Sequence, residues 1–140
     1  MNHRIINASI ALVILLPGPL WAHHSGGAVF DRSKALTLTG TLTKVDWRNP
    51  HIEISLEAKS DNGQVEIWVM EVAGPKWFRD RNVSRDEFET AIGQIVTVEG
   101  SCARDGSRYG YIERITFQDG HSIVGFLAGR RQDQRTQPCN

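Results

Sequence analysis

Residues 36–58, LTLTGTLTKVDWRNPHIEISLEA, leave this chain few folds to choose from. Leu36, Leu38, Gly40 and Leu42 alternate with Thr37, Thr39, Thr41 and Thr43, the period-two pattern of a half-buried β-strand. After Lys44 the phase slips, because the next large apolar residues are Val45 and Trp47. One extra residue near Thr43-Lys44 predicts a β-bulge, which bends and coils the strand. Pro50 ends it, since proline donates no ladder hydrogen bond and restricts Asn49 before it. A second strand follows at once, with Ile52, Ile54, Leu56 and Ala58 inward and Glu53, Ser55 and Glu57 outward. A long bent first strand suits a small closed barrel, where one strand must serve two partners.

The rest of the chain fits that start. Asp61-Asn62-Gly63 is a hairpin turn. Val65–Val72 is a third strand, apolar on both faces, which predicts cover on both sides or a bound molecule on one. Gly74-Pro75 breaks the pattern, and Lys76–Arg81 reads as a short helix with Pro75 near its first position. Ser84 and Glu87 have the spacing of a capping box, with Phe88 as an apolar anchor behind them. Ile95–Cys102 is a fourth strand, with Val96, Val98, Gly100 and Cys102 on one face. Arg108–Phe117 is a fifth, read with Tyr109, Tyr111, Ile115 and Phe117 on one face. A turn at Asp119-Gly120 leads to a short return at Ser122–Val124. The fold class is therefore mainly β: a small OB-like five-stranded barrel with a short helix between strands 3 and 4.

The ends differ in character. Arg4 precedes the uninterrupted apolar run Ile10–Leu16, and Pro17-Gly18-Pro19 breaks it shortly before Ala22. This is a secretory signal-peptide pattern over residues 1–22. The run is far shorter than the roughly 20 residues that span a bilayer, so no permanent membrane anchor is expected. A periplasmic or secreted location follows. Residues 23–35 read as an extended N-terminal segment that Val29 and Phe30 pin to the body, 36–127 as the barrel and 128–140 as a disordered tail. Arg4 is the only charge before Asp31, so the mature chain carries 16 acidic and 15 basic residues. With a net charge near zero and no basic stripe, nucleic acid is not an expected partner. Cys102 and Cys139 can bridge in an oxidising compartment or remain thiols.

Several of these residues together resemble one family. They are AHHS at 22–25, Phe30-Asp31, TLTGTLTKVDWRNPH at 37–51, Trp68 with Glu71, the Gly74-Pro75 break before an arginine-containing helix, and Gly100 in VTVEG with the later DGS. The chain resembles a group of exported bacterial proteins, domain of unknown function 6152. The resemblance implies an exported small β-barrel and carries no activity with it. His24-Ser25-Gly26-Gly27 departs from the larger residues expected after the serine.

Chemistry has three candidate seats. Cleavage after Ala22 would expose His23, whose α-amine and imidazole can chelate one ion, and copper(II) favours such nitrogen donors. His24, His51 and His121 are the further metal ligands considered. The second seat is a binding face, with Trp47, Trp68 and Tyr109 as ligand-stacking aromatics on the barrel, against a plainer reading of Trp47, Trp77 and Tyr111 as core or rim packing. The third is acid–base chemistry by Asp46, Glu53, Glu71, Asp86 and His51. No nucleophile elbow, HExxH motif or glycine fingerprint accompanies them. Arg79, Arg81 and Arg85 around the helix could clamp an anion, though a solvated helix face accounts for them. The expectation is a non-enzymatic barrel that binds a small ligand or a protein partner. The alternative is periplasmic copper binding through His23.

Overall fold

A computed structural model describes residues 26–125 and 137–139. The expected signal peptide, His23 and His24 lie outside the described residues. A single turn of helix, α1 (Gly26–Val29), leads into β1 (Phe30–Asp46), a strand of 17 residues. β1 is longer than the 36–47 strand read from the alternation. The expected extended segment is already a strand at Phe30, which pairs with Ala103. Phe30 is buried, and Arg104 donates its backbone N–H to Val29 and its Nε–H to Gly27.

β1 serves two long partner strands, as the slipped pattern predicts. Its Leu36–Thr41 stretch pairs antiparallel with β4 (Ile95–Ala103), and Gly40–Asp46 pairs antiparallel with β2 (Ile52–Lys59). The bulge falls at Thr43: Leu42 faces Leu56 while Lys44 faces Ser55. The extra residue bends the strand, and the Thr43 hydroxyl donates to the Ser55 carbonyl at 3.1 Å. β2 and β3 (Val65–Val72) form an unbroken hairpin from Ile52 opposite Val72 to Lys59 opposite Val65. β5 (Tyr109–Thr116) runs antiparallel to β4 and parallel to β3, and β6 (Ser122–Val124) adds to β5. The pairings β1–β2–β3–β5–β4–β1 close on themselves, so the sheet is ring-like.

Two short helices lie between β3 and β4, α2 (Pro75–Arg79) and α3 (Arg85–Glu89). α2 stops two residues before the expected Arg81, and Asn82 adopts positive φ at the turn that follows. At α3 the Ser84 N–H donates to Glu87 Oε1 at 2.8 Å, which meets the capping-box expectation. The helices deliver Phe78 and Phe88, both fully buried. Their rings meet edge-on at 5.4 Å and join Leu42, Ile54, Met70, Val98 and Ile112 in one core.

Strand five differs from its reading. Glu99 faces Arg114 but Gly100 faces Ile112, so Glu113 is an extra residue and the inward face changes there. Ile112, Ile115 and Phe117 enter the core, whereas Tyr109 and Tyr111 lie outside it, packed under Phe30 with ring centroids 5.5 Å away. Nothing in RYGYIERITF marks that bulge, because glutamate at an extra position looks like any outward strand residue.

The two cysteines form a disulfide, Cys102–Cys139. Beside it β7 (Gln137–Pro138) pairs parallel with Lys34–Ala35 of β1, and the Cys139 N–H donates to the Ala35 carbonyl. The end of the expected disordered tail is therefore tied to the sheet. Residues 128–136 lie outside the described residues.

Candidate functional site

The corner Asn49-Pro50-His51 joins β1 to β2, and the Asn49–Pro50 peptide is cis. It meets Ala73-Gly74, where β3 ends and α2 begins. Glycine is required at 74, since a Cβ there would lie 2.1 Å from the Pro50 carbonyl oxygen. A cleft of about 320 Å³ opens where these segments converge, lined by Asn49, Pro50, His51, Ala73, Gly74, Lys76, Trp77 and Tyr111. Its size is at the lower end of small-ligand sites. Pro50, Trp77 and Tyr111 give it apolar walls; His51, Lys76 and Asn49 supply polar groups.

Behind His51 lies a chain of charged and polar groups. Glu53 of β2 and Glu71 of β3 stand directly opposite each other on the outer face of the hairpin. Like charges so placed repel, and partners must offset the cost. Arg48 lies 3.0 Å from Glu53 Oε2 and 3.2 Å from Asp46 Oδ2. The Tyr109 hydroxyl donates to Glu71 Oε2 at 2.8 Å; Glu53 Oε1, at 3.5 Å, is too distant for a second strong bond. His51 Nδ1 is 2.7 Å from Glu71 Oε1, with the imidazole half exposed and the carboxylate largely buried. A carboxylate only accepts, so Nδ1 carries the proton and donates. Nε2 is then the unprotonated ring nitrogen of neutral histidine, and it has no hydrogen-bond partner among the described residues. The arrangement is an imidazole held in one orientation and one tautomer at a cleft wall.

The tyrosines are held neutral. Burial, then the hydrogen bond and charge of Glu71, push the Tyr109 phenol well above its ordinary range. Burial, then Glu71 and Glu113, push Tyr111 from 10.0 up to about 12. Both folded-state values are raised, so the stability they contribute is present below the ordinary value and is lost as pH rises. For Tyr111 that window runs from 10.0 to about 12. These are the chain's 2 tyrosines, so the ultraviolet tyrosinate signal reads this pair alone. Folded protein should show no tyrosinate at the pH that half-ionises free tyrosine, and stability should fall above it. A folded protein titrating with an ordinary tyrosine midpoint would contradict the arrangement.

The structure gathers some of the residues singled out by sequence and separates others. His51, Glu53, Glu71 and Asp46 come together with Tyr109; Asp86 sits apart on α3. Trp47 packs on Phe78 and Phe88, with centroids at 6.0 and 5.4 Å, as part of the core rim. Trp68 lines a second cleft of about 400 Å³ with Leu36, Leu38, Glu66 and Cys139. Trp47, Trp68 and Tyr109 therefore do not form one stacking face, because the bulges and strand phases turn them to different surroundings. His121 is stacked on Phe117 at 4.4 Å and bonded to Asp119 at the turn after β5, outside the His51 cleft. Among the described residues no group of three or more His, Cys, Asp or Glu side chains could hold a metal ion. Arg81 lies over the Trp77 ring at 3.2 Å and donates to the Trp77 carbonyl, and Arg85 pairs with Glu89, so these arginines do not converge on an anion site. Trp77 and Tyr111, read as packing, line the cleft; Gly74 and Lys76, read only as a strand break and a helix start, join them. Glu53 opposite Glu71 was findable, since each is nine residues from Asn62 at the hairpin turn.

The class defined here is a mainly β protein with a ring-like sheet and a carboxylate-oriented histidine at a surface cleft. A family model, a family of unknown function (DUF6152), matches residues 12–126, and the chain belongs to that family. No curated protein and no solved structure matches it. Among the described residues no helix is long and apolar enough to cross a membrane.

Proposed function

We propose that this protein is exported and, without catalysing a reaction, holds a small ligand in the cleft between Pro50 and Trp77. The observation that carries the reading is the fixed imidazole of His51 on an apolar-walled cleft, with its free nitrogen left by the bond to Glu71. Ligand sites combine apolar surface with a few oriented polar groups in this way. The signal-peptide pattern supports export, and the Cys102–Cys139 bridge suits an oxidising compartment. Nuclear magnetic resonance with a library of single-ring fragments tests the reading. Bound fragments should shift amide signals of residues 49–51, 73–77 and 111. Fragments that bind only elsewhere would overturn it.

A second reading is copper(II) binding through the terminal amine and imidazole of His23, completed by His24 or His51. One observation favours it: a histidine whose other nitrogen is held by a carboxylate is a common metal-ligand arrangement. Calorimetric titration should show weaker copper binding when one residue is added before His23. Equal affinities would discard this reading.

A further inference from the structure

Resting on the cleft reading, we propose that the ligand is a small zwitterion, an ammonium and a carboxylate on one apolar body, as in a free amino acid. The two walls of the cleft differ in charge. On the β2–β3 side, Glu71 sits behind His51, and its two direct partners are the His51 Nδ1–H and the Tyr109 hydroxyl. Among the described residues no lysine or arginine pairs directly with it, whereas Glu53 has Arg48. Its charge makes His51 Nε2 a stronger acceptor and favours a cationic donor on that side.

On the α2 side the sign reverses. Lys76 lines the cleft, and Arg81 lies over the Trp77 ring. Lys76 pairs with Asp80 at 2.7 Å, but both side chains are more than half exposed. Such an i,i+4 surface pair contributes little, so a ligand carboxylate can recruit the ammonium. Pro50, Trp77 and Tyr111 line the same cleft and would receive the apolar body. A purely anionic ligand would leave the His51 acceptor backed by Glu71 unused, and a purely cationic one would leave Lys76 unused.

Three probes of one shape decide the class: phenylalanine, phenethylamine, which lacks the carboxylate, and hydrocinnamate, which lacks the amine. Phenylalanine should shift the signals of residues 49–51 and 73–77. Hydrocinnamate should bind roughly tenfold more weakly, the worth of one charge-assisted contact, and phenethylamine a few-fold more weakly, because Lys76 is exposed. Lys76→Gln, a change at an exposed side chain, should weaken phenylalanine and hydrocinnamate and spare phenethylamine. Glu71→Gln should weaken phenylalanine and phenethylamine and spare hydrocinnamate. If either single-charge probe matches phenylalanine, the zwitterion class is wrong and the cleft reading stands. If none of the three shifts these residues, both are overturned.

Discussion

Replacing Cys102 and Cys139 together by serine should lower folding stability by about 4 kcal/mol at 25 °C, as the chain-entropy relation gives for this loop. The bridge spans 37 residues of sequence, and cutting it restores that loop's freedom to the unfolded chain. The native state loses little else in compensation. β7 contributes two paired residues, and Cys139 packs against the core beside Leu38 and Trp68. Urea unfolding of the double variant and the parent measures the difference. A loss under about 1 kcal/mol would show that the bridge constrains the unfolded chain far less than the loop length implies.

Gly100→Ala should cost about 3 kcal/mol, the upper part of the range for forced overpacking. A Cβ at this position would lie 1.8 Å from the Tyr111 carbonyl oxygen and 2.9 Å from its carbon. Both atoms are backbone of β5, so no rotamer change relieves the contact. The clash falls where Glu113 is squeezed out as an extra residue of β5. Relief requires moving Tyr111, which lines the cleft, so the variant should also weaken any cleft ligand. Chemical denaturation reads the first effect. A near-neutral Gly100→Ala would mean that β4 and β5 are not paired in this register.

The parts of the fold legible in the sequence are those with local causes. The leucine–threonine alternation and its slip at Lys44 located β1 and its bulge. The Asn62 turn set the β2–β3 register, and Ser84 with Glu87 marked the start of α3. The strand order then implied closure of the ring, which needs one parallel contact between β3 and β5. The site was less legible because it is made of non-local contacts. His51 meets Glu71 across the hairpin, and Tyr109 reaches Glu71 only through the parallel pairing of β3 with β5. Trp77 and Tyr111 looked like packing residues. Their position depends on the approach of Gly74 to Pro50 and on the unheralded bulge at Glu113, neither of which has a periodicity to read.

The tautomer of His51 tests the central claim most directly. Nitrogen–proton correlation spectra of the imidazoles in their neutral form should place its proton on Nδ1 and show Nε2 unprotonated. The Glu71→Gln variant should shift this resonance set while leaving that of His121 in place. A proton on Nε2, or a His51 signal indifferent to Glu71→Gln, would contradict an imidazole held by Glu71 at the cleft wall.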